Sequence, residues 1–97
     1  MNEITAPTLQ MMVLARKDNL EAMRVAAGLT IFGHEVTLIF AGEALNDSDY
    51  QSEQAELLDL ADIEPITTLP AMQEHLRVVD QKELCTLMLN ADTVLNV

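Results

Sequence analysis

The segment from residue 9 to residue 40 constrains the fold of this chain more than any other part of its sequence. It opens with a short apolar run, LQMMVLA, whose length suits a buried strand better than a helix. It closes with EVTLIF, which is β-branched and almost continuously apolar, as buried parallel strands are. A helix between two such strands makes a βαβ unit, and these crossovers are right-handed. The segment therefore predicts a parallel sheet covered by helices.

The intervening residues predict a helix with apolar residues on several sides. Asp18 and Glu21 have the spacing of a capping box, so we expect the helix to begin at Asp18. Gly33 is expected to end it, because glycine adopts the left-handed cap conformation at low cost. One apolar face follows helical spacing: Leu20, Met23, Ala27 and Ile31. Val25, Leu29 and Phe32 lie on other sides, which favours burial against the sheet and against a second subunit.

The rest of the chain predicts two more helices and three more strands. Ser48 and Gln51 have capping-box spacing for a helix over residues 49–62, and Asp80 and Glu83 have it for a last helix. The expected apolar sides of these two helices are Leu57, Leu58 and Ala61, and Leu84, Leu87, Met88 and Ala91. The expected strands are Ile66–Leu69, Leu76–Val79 and Thr93–Val97.

Alternating strands and helices predict an α/β fold, a three-layer sandwich around a mostly parallel sheet of about five strands. We expect residues 1–8 to be a flexible lead-in and residues 9–97 to form one domain, since 97 residues are too few for two. The aromatic content is low, so the core must be aliphatic.

Charge and composition exclude several classes of function. The chain carries 16 acidic and 5 basic residues, a net charge of −11, whereas nucleic-acid binding requires Lys and Arg to neutralise phosphates. We expect neither a nucleic-acid nor a membrane partner, and the absence of a signal-like start and of a disulfide framework predicts a cytoplasmic protein. Eight acids and no basic residue lie between Glu43 and Glu64. They suit a solvated helix face or, alternatively, a docking surface for a basic protein.

Few residues offer chemistry. Cys85 is the single cysteine. Because it lies beside the apolar stripe of the last helix, we expect a structural, partly buried thiol. The alternative is that Cys85 is exposed and has a depressed pKa, in which case it would be a sulfur nucleophile. Asp18, Asn19 and Gly42 follow the first two strands, where ligand sites of open α/β sheets lie, and His75 is the fourth candidate for a ligand-binding edge. The histidines and the cysteine do not have the spacing of metal ligands, so we expect no metal site. The sequence also lacks a glycine-rich phosphate-binding loop, so we expect no nucleotide cofactor.

Two segments resemble the DsrE-like family of sulfur-relay proteins: DNLEAMRVAAGLTIFGHEVTLIFAGEAL and LCTLMLNADTVLNV. The resemblance spans residues 9–97 and implies a five-stranded parallel α/β sandwich that assembles into oligomers of one chain or of paralogous subunits. Active members carry sulfur as a persulfide on a cysteine after the third strand. Here the corresponding residues are Pro70-Ala71-Met72-Gln73, so that cysteine is missing. Other subunits of the family lack it too and serve as assembly partners.

Three hypotheses follow. The first is a non-catalytic DsrE-like subunit that acts through oligomerisation or partner docking. The second is a persulfide carrier that uses Cys85, which requires an exposed thiol. The third is a small-ligand-binding domain, which requires a pocket at the edge formed by Asp18, Asn19, Gly42 and His75.

Overall fold

The structure is a computed structural model that describes residues 8–97, so the expected lead-in lies outside the described residues except for Thr8. Five strands are present: β1 Gln10–Ala15, β2 Glu35–Phe40, β3 Ile66–Thr67, β4 Arg77–Val78 and β5 Thr93–Asn96. Four α-helices connect them, together with a 3₁₀ turn at Pro70–Met72: α1 Asn19–Ile31, α2 Asp47–Tyr50, α3 Glu53–Leu60 and α4 Gln81–Asn90.

The strands form one all-parallel sheet in the order β4-β3-β2-β1-β5, which confirms the predicted α/β class. The chain steps in one direction from β1 to β4 and then returns to place β5 on the far side of β1. Because parallel crossovers are right-handed, this reversal puts α1, α3 and the 3₁₀ turn on one face of the sheet and α4 on the other.

The core has a layer on each side of β1, whose residues 12–15 are at most 1% exposed. Val13 and Ala15 point into the larger layer beneath α1 and α3, where Met23, Phe40 and Leu58 are also buried. Met12 and Leu14 point the other way, together with Ile39 of β2. Three partly buried residues of α4 pack on them: Leu84, Leu87 and Ala91. The sheet is thus the middle of three layers, as predicted.

The two ends of α1 confirm the sequence-based prediction. The Asp18 carboxylate accepts a hydrogen bond from the Glu21 amide at 3.1 Å, which satisfies one of the free N–H groups of the first turn. Gly33 has a φ of 95°, a conformation that side-chain-bearing residues rarely adopt.

The helix predicted over residues 49–62 is instead two helices, and its predicted cap was wrong. Asn46 and Asp49 form the capping box of α2, in place of Ser48 and Gln51. Ser52 then ends α2 and begins α3, because its hydroxyl donates to the Asp49 carbonyl at 2.7 Å and accepts from the Ala55 amide at 3.2 Å. A hydroxyl that bonds both sides of a turn competes with a continuous helix.

Several residues expected on apolar helix faces are exposed instead. Ile31 is 75% exposed because the last turn of α1 reaches the amino-terminal edge of the sheet. Phe32, the residue after α1, is 83% exposed. Leu57 and Met88 were expected against the sheet, but each exposes more than a third of its surface. The strands β3 and β4 are also two residues long rather than four, and a 3₁₀ turn that begins at Pro70 follows β3.

Substitution of alanine for glycine should have opposite effects on stability at residues 42 and 28. A Cβ on Gly42 would lie 2.0 Å from the Arg16 carbonyl oxygen, so the main chains after β1 and β2 touch only because residue 42 has no side chain. Gly42→Ala should lower the free energy of unfolding by about 1–3 kcal/mol or more, as overpacking does. Urea denaturation monitored by circular dichroism measures this change in the free energy of unfolding.

Gly28 is the matched control, because a Cβ there meets no atom within 4 Å and the residue lies inside α1. Gly28→Ala should raise the free energy of unfolding by about 0.5–1 kcal/mol, the usual gain of alanine in a helix. Equal stabilities of Gly42→Ala and the original chain would contradict the close packing of the two loops.

Candidate functional sites

The predicted ligand-binding edge is occupied by the protein's own contacts. The Asn19 side-chain amide donates to the Glu43 carbonyl at 2.9 Å, and Asp18 is engaged as the cap of α1. Gly42 packs directly on the Arg16 main chain. The Arg16 and Lys17 amides both donate to the Val97 carbonyl, at 2.8 and 3.0 Å. These groups fasten the ends of β1, β2 and β5 to one another, so a structural role explains Asp18, Asn19 and Gly42.

His75 does not join that edge. It precedes β4, and its ring lies 5.0 Å from the ring of Tyr50, with an angle of 51° between the ring planes. The structure therefore places His75 beside Tyr50 and does not bring it together with Asp18, Asn19 and Gly42. The reason is topological, since His75 lies on the incoming side of its strand whereas the other three follow the outgoing ends of β1 and β2.

The corner after β3, where the resemblance implies a reactive cysteine, is tightly packed. Thr67 is fully buried, and its hydroxyl donates to the Phe40 carbonyl at 2.7 Å and accepts from the Leu69 amide at 3.0 Å. The Met72 sulfur lies 3.4 Å from the same hydroxyl, and Met72 is only 2% exposed. Threonine and methionine hold this corner together, and neither supplies a nucleophilic sulfur there.

Cys85 is exposed, which corrects the expectation of a partly buried thiol. The buried side of α4 consists of Leu84, Leu87 and Ala91, and Cys85 falls outside it. Lys82 lies three residues earlier on the same helix, close enough along the surface to meet the Cys85 side chain. The thiol is thus accessible to a reagent or to another protein.

A cleft of about 340 Å³ opens on the α1–α3 side of the sheet. Eleven residues line it, and eight of them are apolar: Met23, Phe40, Leu45, Ala55, Leu58, Ile63, Pro65 and Leu76. The remaining three are Tyr50, Asp59 and His75. We call this site the Tyr50–His75 cleft. It has the size and the mostly apolar lining of a small-molecule site.

Tyr50 is the polar group best placed to act in this cleft. Partial burial of the phenol, and secondarily the negative charge of Asp47, raise the pKa of Tyr50 above its ordinary value. Both effects disfavour the phenolate, so the hydroxyl stays a hydrogen-bond donor at neutral pH. Sequence analysis missed this residue. Its position as the only tyrosine, amid the acidic segment, is the one signal that the sequence contains.

A second surface of interest lies where α1 and α3 end. Both helices run antiparallel to the strands and pack side by side on one face of the sheet. Four large apolar side chains are exposed in or just after the last turns of these two helices: Ile31, Phe32, Leu57 and Leu60. We call this surface the α1–α3 foot. Phe32 and Leu60 each expose 83% of their surface.

Carboxylates line α3 beside the foot. Four acids that recur every third residue along α3 and just after it are all exposed: Glu53, Glu56, Asp59 and Asp62. A solvated acidic face is therefore present, as the sequence predicts. Residues 8–97 contain no grouping of three or more His, Cys, Asp or Glu side chains suited to a metal ion. Nor does that part of the chain contain a helix of the length and apolarity needed to cross a bilayer.

Comparison of the chain with protein-family models, with curated proteins and with solved structures finds no match. The resemblance to DsrE-like proteins therefore stays a prediction that rests on the sequence segments quoted above.

Proposed function

We propose that this chain is a non-catalytic DsrE-like subunit that acts by docking, through the α1–α3 foot, onto another subunit. The observation that carries the proposal is the exposure of Ile31 and Phe32, at 75% and 83%, at the end of a helix that is otherwise well buried. In its simplest form the docked subunit is a second copy of the chain, and a paralogous subunit is the other form.

Burial of the foot supplies a driving force for association. Covering a large aliphatic or aromatic side chain stabilises a complex by about 1.5–3 kcal/mol. The foot offers four such side chains, of which Ile31 and Phe32 are consecutive, and monomeric proteins rarely leave large contiguous apolar patches in water. Part of this gain offsets the entropy lost on association, so the foot suits a moderate affinity.

Charge decides how two copies can approach. Each carries a net charge of −11, and the exposed acids of α3 lie next to the foot. Like charges oppose close contact of the two α3 helices, so α1 must form the centre of a symmetric interface. Added salt screens this repulsion and should strengthen the association. A basic protein partner would instead bind the acidic face and weaken with salt.

The resemblance supports a subunit without chemistry of its own. The all-parallel five-stranded sheet agrees with the sandwich that the resemblance implies. The corner after β3 is built from Thr67, Pro70 and Met72 rather than around a cysteine. A sulfur-relay or sulfur-metabolism context for the assembly follows from the resemblance alone.

The double substitution Ile31→Ser with Phe32→Ser tests this proposal. The original chain should show a mass above the 10.7 kDa of one chain, rising with protein and salt concentration, because the apolar contact overcomes charge repulsion. The double variant should stay at the single-chain mass. Sedimentation velocity, with circular dichroism as a check of folding, measures both.

Leu89→Ser is the matched control, since Leu89 is 86% exposed but lies on α4, across the sheet from the foot. It should associate like the original chain. If the original chain sediments as one chain at every concentration, self-docking is excluded. If Leu89→Ser disrupts association and the double variant does not, the interface is on α4 instead of the foot.

The exposure of Cys85 favours a second candidate function, persulfide carriage. In that reaction the Cys85 thiolate attacks the outer sulfur of a donor persulfide. A sulfur–sulfur bond forms on Cys85 while the donor's sulfur–sulfur bond breaks, and the donor leaves as a thiolate. One sulfur atom moves, with no net oxidation and no further reactant.

Intact mass after incubation with a persulfide donor tests this candidate. A carrier should gain one sulfur atom per chain and lose it on reduction, and Cys85→Ser should gain none. If the original chain gains no sulfur while folded, Cys85 is not a carrier.

A further inference from the structure

The Tyr50–His75 cleft exists because the sheet narrows on one side. Strands β3 and β4 contain two residues each: β3 pairs only with the outgoing end of β2, at Ile39 and Phe40, and β4 pairs with β3. The segments that lead into these short strands, at Ile63–Pro65 and His75–Leu76, take the place of a longer sheet edge and form the outer wall of the cleft. Met23 of α1, Phe40 of β2 and Leu58 of α3 form its floor.

The lining of the cleft favours an apolar guest. Met23, Phe40 and Leu58 are at most 5% exposed and form its floor, and they belong to the main core of the protein. Water in such a space has few polar partners, and replacing it with apolar atoms is favourable. The volume of about 340 Å³ is at the lower end of the range for small-molecule sites and suits a ligand of two or three aromatic rings.

The polar side chains of the cleft are few: Tyr50, His75 and Asp59. Within residues 8–97 the Tyr50 hydroxyl and the two ring nitrogens of His75 make no hydrogen bond to another protein group. Their rings pack against each other, which brings both side chains to the same wall. A guest can therefore bury its rings on the floor and place one polar group against this wall.

The surrounding charge selects against anions. Asp59 lines the cleft, Asp47 is close enough to act on the Tyr50 phenol, and Glu64 stands between two lining residues. No lysine or arginine is among the eleven lining residues. An anionic guest would meet uncompensated carboxylates, whereas a neutral one would not.

We infer that the Tyr50–His75 cleft binds a neutral, ring-containing small molecule with a single hydrogen-bonding group. The floor formed by Met23, Phe40 and Leu58 holds the rings, and the Tyr50 hydroxyl and His75 meet the polar group. This site is separate from the docking function of the α1–α3 foot, because the cleft is lined by none of the four side chains that define the foot.

Two dyes with the same ring skeleton test the inference. N-phenylnaphthylamine is neutral and carries one N–H group, and anilinonaphthalenesulfonate adds a sulfonate. The full chain should bind the neutral dye saturably, with enhanced fluorescence, and the anionic dye about tenfold or more weakly. Binding of the anionic dye with equal or higher affinity would overturn the assignment of ligand class.

Substitutions locate the bound dye. Ala55 lines the cleft and Ala71 is exposed on the 3₁₀ turn outside it, so Ala55→Phe fills the site and Ala71→Phe is the matched control. The first should weaken binding of the neutral dye about tenfold or more, and the second should leave it nearly unchanged. If Ala55→Phe binds like the original chain, or if the foot variant Ile31→Ser with Phe32→Ser abolishes binding, the inference is overturned.

A measurement on the unaltered chain covers the case in which Ala55→Phe does not fold. Tyr50 is the sole tyrosine and His75 one of two histidines, so their ring signals in a proton NMR spectrum are readily assigned. The neutral dye should shift the signals of Tyr50 and His75 and leave those of His34, whose Nδ1 accepts from the Leu9 amide, in place. Shifts at His34 alone, or at neither cleft residue, would refute the site.

Discussion

The rest of the structure depends on β1, which is buried on both faces and paired on both edges. Residues 12–15 are at most 1% exposed, and the strand pairs in parallel with β2 on one side and with β5 on the other. A strand with no polar face must be covered on both sides, and here helices cover both. The chain crosses back over the sheet between β4 and β5, so that β5 can pair with β1. Because right-handed crossovers in opposite directions lie on opposite faces, α4 alone covers one face and the remaining helices cover the other. The Gly42–Arg16 contact then packs the loop after β2 directly against the main chain that follows β1.

Much of this arrangement could be predicted from the sequence, and the parts that could not have physical reasons. The first βαβ unit, its Asp18 cap and its Gly33 stop are set by local residue chemistry, so sequence patterns reveal them. The exposure of Ile31 depends on where the sheet edge falls beneath α1, which is a property of the whole fold. The exposure of Cys85 depends on the rotation of α4 about its axis. The apolar side chains of Leu84 and Leu87 show which side of the helix is buried, but not whether the neighbouring Cys85 is covered as well.

The two surfaces proposed to act arise from the same half of the fold. The narrow β3–β4 side of the sheet opens the Tyr50–His75 cleft, and the helices that overhang this face end in the apolar foot. Neither was visible as a motif, because each is assembled from residues distant in sequence, such as Tyr50 with His75. The opposite holds for Asp18, Asn19 and Gly42. These residues lie where ligand sites of parallel sheets usually occur, but their side chains and main chain stabilise the fold instead.

Amide hydrogen exchange at low and high protein concentration tests the central claim, docking through the α1–α3 foot, most directly. Backbone amides exchange when local structure opens to water, and a covered surface opens less often. The account predicts that concentration slows exchange at the end of α1 and the turn that follows it, around Ile31 to His34, while amides of α4 exchange at an unchanged rate. Slowing confined to α4, or no concentration dependence anywhere in residues 8–97, would contradict it.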